Sequence, residues 1–125
     1  MSGKILIIDD ETDLRDLLAY NLEKNGFEVS EGSNGLEALE LTPKVKPDLI
    51  LMDIMMPLMD GIQACSAIRK QLQHQPLIMF LTARSEKFAQ QAVIDAGANA
   101  YLLKPLRTQT LIDAIQSMLL GHGSA

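Results

Sequence analysis

Positive charge is in short supply in this chain: 11 Lys and Arg stand against 16 Asp and Glu, a net charge of −5 with a pI near 4.9. That is the wrong sign for a domain that grips a phosphate backbone unaided, so direct nucleic-acid binding is not expected. Cysteine is down to one residue, Cys65, which excludes an internal disulfide and fits a reducing compartment, with the cytoplasm as the default. No apolar run reaches the ~18 residues of a membrane span, and no membrane association is expected. The short apolar start from Lys4 to Ile8 runs directly into acids without a small-residue cleavage site. Internal repeats, low-complexity segments and linkers are missing too. The 125 residues therefore read as one domain over 1–121, with 122–125 expected to fray. A chain of this size buries roughly two thirds of its unfolded surface.

What is present is an alternation. Short runs rich in Ile and Leu alternate five times with longer stretches of helical period, the pattern of a parallel sheet with helices on both faces. Strands are expected from Lys4 to Asp9, Phe27 to Glu31, Asp48 to Asp53, Pro76 to Leu81 and Ala100 to Leu103. The run after Asp48 has no polar residue before Asp53, which marks burial on both faces and hence a central strand. The first helix carries Leu14, Leu17, Leu18 and Leu22 on one face and stops at Asn25-Gly26. Asn34, with Glu37 in the capping-box position, opens a second helix expected to end before Pro43. A third helix, Gly61 to about Leu72, buries Ile62, Cys65, Ile68 and Leu72. The fourth spans about Glu86 to Ala96 and ends at Gly97, and the fifth spans about Arg107 to Leu120, burying Leu111, Ile112, Ile115, Met118 and Leu119.

Four of the apolar runs end in reactive polar residues: Asp9 and Asp10, Asp53, Thr82, and Lys104 followed by Pro105. In an open parallel sheet the ligand crevice lies beyond the carboxyl ends of the strands, so these residues should meet. Three carboxylates in one small volume repel one another unless a cation joins them. Mg²⁺ suits the need, because it takes oxygen ligands from one or two carboxylates, keeps several waters and accepts a phosphoryl oxygen. No His or Cys lies near these tips, so zinc is a poor candidate. A carboxylate beside Mg²⁺ can attack a phosphoryl donor and form an acyl phosphate, and Asp53, ending the central strand, is the expected nucleophile. Lys104 and the Thr82 hydroxyl would help neutralise and position the transferred oxygens. The new group brings roughly −1.5 to −2 charge and would draw such partners inward, which lets the site report its state.

These residues resemble a known family. The acidic pair in IIDDE, the stretch LMDIMMPLMDG around Asp53, the LTA at Thr82, and AGANAYLLKP with Tyr101, Lys104 and Pro105 resemble the receiver domain of bacterial two-component response regulators. The resemblance covers the whole chain. It implies a flavodoxin-like (βα)5 doubly wound fold of strand order 2-1-3-4-5, and phosphorylation of Asp53 by a phosphohistidine on a sensor histidine kinase or phosphotransfer protein. It implies Mg²⁺ held by Asp10, Asp53 and the backbone carbonyl of Met55, with Asp9 acting mainly through water, and a cis Lys104-Pro105 bond, a state X-Pro bonds reach at modest cost. It further implies that the hydroxyl of Thr82 moves toward the phosphoryl group, that Tyr101 turns inward behind it, and that the face of the fourth helix, fifth strand and fifth helix changes its preference for a downstream effector. Met55 and Arg84 occupy positions that tune acyl-phosphate lifetime in the family. Receivers joined to winged-helix DNA-binding domains usually carry an acidic pair where this chain has Asn99-Ala100, and basic residues where it reads FAQQAVIDAG and LIDAIQSM. The charged dimer interface of that subclass is therefore not carried over, although a phosphorylation-dependent homodimer stays open.

The expected function is a phosphorelay signalling module, not a turnover enzyme, acting alone or as the receiver portion of a multidomain DNA-binding regulator. An aspartyl phosphatase of the haloacid dehalogenase type would share the Asp, Mg²⁺ and Lys, but it needs a general-acid Asp where this chain has Met55. A flavin or nucleotide binder needs glycines after the first strand, where this chain has Asp-Asp-Glu. Taken singly, the residues have ordinary readings: a solvated acidic turn, a strand-end Thr, a surface Lys, a half-buried Tyr. Met52, Met55, Met56 and Met59 are expected to fill core and loop gaps, Cys65 to be an inert core residue, and His74 and His122 to be solvated. Phe88 and Ile94 lie off the apolar stripe of the fourth helix and could mark a partner patch.

Overall fold

The computed structural model describes residues 3–123. Its elements alternate strictly: β1 (Lys4–Ile8), α1 (Thr12–Lys24), β2 (Glu28–Gly32), α2 (Gly35–Val45), β3 (Leu49–Met52), α3 (Gly61–Gln71), β4 (Leu77–Thr82), α4 (Lys87–Asp95), β5 (Ala100–Leu103) and α5 (Thr108–Gly123). The five strands form one sheet in the order β2-β1-β3-β4-β5, and every neighbouring pair is parallel. This is the flavodoxin-like doubly wound order expected from the sequence.

The period of two along each strand divides the core into two layers. Ile5, Ile7, Leu49, Leu51, Met79 and Leu81 face α1 and α5, where Leu18, Leu22, Leu111, Ile112 and Ile115 cover them. Leu6, Ile8, Ile50, Met52, Ile78 and Phe80 face α2, α3 and α4, covered by Ala38, Ala64, Cys65, Ile68, Ala89 and Val93. Every residue of β3 and β4 is buried, as the unbroken apolar runs require of central strands. Cys65 lies in this core, where burial pushes its thiol up to about 11, so it is inert.

Helix ends follow local chemistry. Gly26 (φ 91°) and Gly97 (φ 103°) take the left-handed conformation after α1 and α4. The Gly26 and Phe27 amides donate back to Glu23 and Leu22, and those of Gly97 and Ala98 to Ile94 and Val93, closing both helices with paired C-terminal bonds. At α2, Asn34 Oδ1 accepts from the Glu37 amide at 2.9 Å. The Glu37 carboxylate reaches back to the Ser33 amide at 2.7 Å, one residue beyond the capping-box partner that the spacing suggests.

Several expectations need correction. Helix α2 does not end before Pro43 but continues to Val45. Proline fits helical φ, and although it loses its own N–H and crowds the carbonyl four residues back, only two residues of the helix follow it; the Thr42 hydroxyl donates to the Ala38 carbonyl at 2.6 Å beside it. Leu17 is exposed while Ala19 is buried, so the inward stripe of α1 is rotated from the one expected. His74 is not simply solvated: its Nε2 lies 2.6 Å from the Pro47 carbonyl oxygen. Helix α5 runs to Gly123, so part of the tail expected to fray is helical, and 124–125 lie outside the described residues.

Candidate functional site

The parallel ladder sets the site. Ile8, Met52 and Phe80 are register partners, so the residues that follow Ile8 and Met52 leave the sheet side by side. Ladder bonds continue one step past the strands: the Asp9 amide donates to Gly32, that of Asp53 to Ile8 at 3.1 Å, and that of Lys104 to Thr82 at 2.8 Å. Backbone pairing thus carries Asp9, Asp53, Thr82 and Lys104 to one edge before any side chain makes contact.

Carboxylate oxygens of Asp9, Asp10 and Asp53 all lie within 4.8 Å of one another. Asp53 is 8% exposed and Asp9 3%, whereas Asp10 faces solvent. Each buried carboxylate has one oxygen held by a backbone amide: Asp53 Oδ1 by Ile54 at 2.6 Å and Asp9 Oδ1 by Glu11 at 2.9 Å. The remaining oxygens share the Lys104 ammonium, whose Nζ lies 2.9 Å from Asp53 Oδ2 and 3.2 Å from Asp9 Oδ2. Glu11 Oε1 also approaches it, at 3.3 Å. The Lys104-Pro105 peptide is cis.

The cluster holds more negative charge than its one ammonium can neutralise. Burial raises the Asp9 pKa above the usual carboxylate range, and the opposing Glu11 amide and Lys104 charge do not cancel it. Burial alone would lower the Lys104 pKa, but hydrogen bonds and charges from Asp53 and then Asp9 more than offset this and move it upward. Lys104 is therefore an ammonium throughout the neutral range, shared among three acids. An all-oxygen cluster with surplus negative charge fits a hard divalent cation better than a soft one.

Thr82 is 1% exposed, and its hydroxyl accepts the Arg84 amide at 3.2 Å. Tyr101 packs against the α2, α3 and α4 layer, and its hydroxyl is buried without a hydrogen-bond partner among the described residues. The ring is therefore turned inward. Desolvation, aided by the Glu86 charge, raises its phenol pKa. Met55 lies outside the acidic cluster, exposed on the loop after Asp53, while Met52 is in the core and Met56 and Met59 pack against it.

Two features of the site were not foreseen. Arg15 donates to the Asp9 carbonyl at 2.6 Å and to Glu31 at 3.0 Å, bracing the turn that presents the acidic pair. The signal was a cation in the first turn of α1, where the helix dipole disfavours one. Arg84 links the two loops beside the site: Nη1 donates to Met55 Sδ at 3.3 Å, Nε to Glu86 at 3.0 Å, and the guanidinium stacks 5.6 Å from the Phe88 ring centre.

Comparison with known proteins agrees with this geometry. The family model for the response regulator receiver domain matches residues 5–116. The alkaline phosphatase synthesis transcriptional regulatory protein PhoP of Bacillus subtilis (strain 168) is 40% identical over 119 residues, covering 95% of this chain and 49% of that protein. The chain thus spans about half the length of this curated relative. Among solved structures, a CheY-like receiver domain from Methanospirillum hungatei JF-1 superimposes with a TM-score of 0.92 at 27% identity, covering 99% and 98% of the two chains. The BeF3-activated N-terminal receiver domain of Klebsiella pneumoniae RstA does so with a TM-score of 0.84 at 31% identity, covering 91% and 96%. The chain belongs to the response regulator receiver domain family of two-component signalling.

Proposed function

We propose that Asp53 accepts a phosphoryl group from a phosphohistidine on a sensor histidine kinase or phosphotransfer protein, and that the acyl phosphate switches the domain's affinity for an effector. The observation that carries this reading is the Lys104 ammonium 2.9 Å from Asp53 Oδ2 within a cluster of three converging carboxylates. An Asp53 oxygen attacks phosphorus, an O–P bond forms, the P–N bond breaks, and its electron pair returns to the donor imidazole. Lys104 neutralises charge on the transferred oxygens, and Thr82 supplies a hydroxyl from the adjacent strand. The residues to hold Mg²⁺ are Asp10, Asp53 and the Met55 carbonyl, with Asp9 through water; the ion when bound supplies Lewis-acid neutralisation of the phosphoryl oxygens.

The ring of Tyr101 already lies inward, so the switch rests on Thr82 moving to the phosphoryl group and not on an inward turn of the ring. Rapid turnover of phosphomonoesters is not part of this function, since Met55 stands where an aspartyl phosphatase needs its general acid. The domain includes α5 to its end at Gly123, acts in the cytoplasm and does not itself bind nucleic acid. Among the described residues no helix is long and apolar enough to cross a membrane. The 40% identity to a transcriptional regulator twice as long favours one further reading, that the domain controls a DNA-binding effector in a longer protein.

Intact-protein mass after incubation with acetyl phosphate, with and without Mg²⁺, tests the chemistry. A Mg²⁺-dependent, base-labile gain of one phosphoryl group in the wild type, absent in Asp53→Asn, is expected. Equal gain in Asp53→Asn would overturn the assignment.

A further inference from the structure

Met55 is the one described methionine whose side chain is exposed, at 59%; Met52 and Met79 are buried, and Met56, Met59 and Met118 are half-buried. It stands two residues from Asp53, and its sulfur already lies 3.3 Å from Arg84 Nη1. Arg84 in turn reaches from the residue pair after Thr82 to Glu86 and Phe88. The thioether is a weak acceptor, so this bridge across the two loops is loosely closed. We propose that Met55 is a modification site for hydroperoxides, and that its sulfoxide locks Arg84 between the loops that follow Asp53 and Thr82 and slows phosphoryl uptake.

The chemistry balances without a further reagent. A sulfur lone pair attacks the protonated peroxide oxygen, the O–O bond breaks, and the departing oxygen takes the proton released from the attacked one, leaving as water from hydrogen peroxide or as an alcohol from an alkyl hydroperoxide. Sulfur is oxidised by two electrons and the peroxide is reduced by two. The product replaces a flexible apolar group by a polar one with a strong acceptor oxygen, placed beside a guanidinium. A charge-assisted bond from Arg84 to that oxygen is about twice as strong as a neutral one, and it adds to the Glu86 pairing, which a different nitrogen of the same guanidinium makes. Arg84 is then held between the loops that follow Asp53 and Thr82, while its backbone amide still donates to the Thr82 hydroxyl.

The slowing of uptake rests on the phosphoacceptor reading above, whereas the oxidation and the Arg84 lock do not. The test treats wild type, Met55→Leu and Arg84→Ala with limiting hydrogen peroxide, maps the added oxygen by peptide mass, and then times acetyl phosphate uptake relative to each untreated protein. Expected is oxygen at Met55 ahead of every other described methionine, and uptake slowed by about threefold or more in the wild type. Peroxide should leave the Met55→Leu rate at its own untreated value, and Arg84→Ala should gain the oxygen without the slowing. Oxidation that does not favour Met55, equal slowing in Met55→Leu, or slowing retained in Arg84→Ala would each overturn the proposal. If no untreated protein takes up phosphate, the acceptor reading fails alone, and the Arg84 Nε–H NMR signal decides: a shift on oxidation that Met55→Leu lacks supports the lock, and an unmoved signal sinks it.

Discussion

Two cations stand at opposite ends of the sheet, and their surroundings differ in kind. Arg69, at the end of α3, donates to the Gly97 carbonyl at 2.9 Å, the Pro76 carbonyl at 2.7 Å, Gln75 at 2.9 Å and Asn99 at 2.8 Å. All four acceptors are neutral. Asn99 Oδ1 also takes the Ile78 amide, so one side chain ties α3 to the starts of β4 and β5. Lys104, beyond the carboxyl ends of the strands, meets only acids, more of them than it can neutralise. At the first end the cation is satisfied by neutral acceptors and leaves no charge unbalanced. The second is stable only conditionally, and a divalent cation or phosphoryl group changes its energy directly. Function sits where the fold leaves charge unbalanced.

The sharpest way to break this contrast is to remove each cation. Lys104→Gln keeps a hydrogen-bonding chain but loses the charge, and acetyl phosphate uptake should fall by about a hundredfold, the usual effect of losing one charge-stabilising donor. Uptake timed by mass spectrometry checks it, and a loss under threefold would contradict a catalytic role. Arg69→Leu should do the reverse. It strands the Gly97 and Pro76 carbonyls and costs about 2–3 kcal/mol in urea unfolding, while uptake by the folded protein stays within twofold of wild type. Comparable losses of uptake in both variants would erase the distinction between the two ends.

Most of the reactive end was legible in the sequence because it is written in backbone register. A parallel strand that ends in Asp, Thr or Lys must deliver that residue to the same edge as its neighbours, so Asp9, Asp10, Asp53, Thr82 and Lys104 could be placed together from the apolar runs alone. Family resemblance supplied the strand order. The Arg69 end was not legible. Arg69 lies in IRKQ on a helix, where a cation ordinarily reads as a solvated charge, and two of its four acceptors are backbone carbonyls outside that helix. Arg15 was hidden for the same reason, as were the partners of Arg84 though not its position: a long side chain finds its partners only after tertiary packing. Helix α2 continued through Pro43 because a local breaker signal is weak in a last turn, and Leu17 turned outward because the periodic stripe fixes a face only to within one residue.

A smaller effect sharpens the electrostatic side of the comparison. The folded pKa of Asp9 is raised, so its proton-linked contribution to stability is fully present below the unfolded value near 3.8 and is lost as pH rises through the folded one. At neutral pH without metal, ionised Asp9 therefore opposes folding. Asp9→Asn should be more stable than wild type by about 1 kcal/mol at pH 7, with the gap shrinking as pH falls through the folded pKa. Urea unfolding across that range measures it, and a variant less stable at neutral pH would mean that the Lys104 pairing outweighs the burial cost. Mg²⁺ should narrow the gap, because binding to the wild-type cluster adds stability that the variant gains less of.

The smallest expected effect concerns the loop between Asp53 and α3. Leu58 has φ 69° and is 80% exposed, and the Met59 amide donates to the Pro57 carbonyl at 2.8 Å around it, a three-residue turn of the rare positive-φ kind. The left-handed conformation costs an L-residue about 1–2 kcal/mol, and a side chain this exposed returns little by burial. Glycine takes the same backbone without that cost but loses some unfolded-state restriction, so Leu58→Gly should raise stability by about 0.5–1 kcal/mol. The same change should leave Arg69 and its end of the molecule untouched, so Leu58→Gly and Arg69→Leu should be additive in unfolding free energy to within about 0.5 kcal/mol. A destabilised Leu58→Gly would show that the side chain holds the loop in place, and that the reactive end draws on a packing contact as well as on charge.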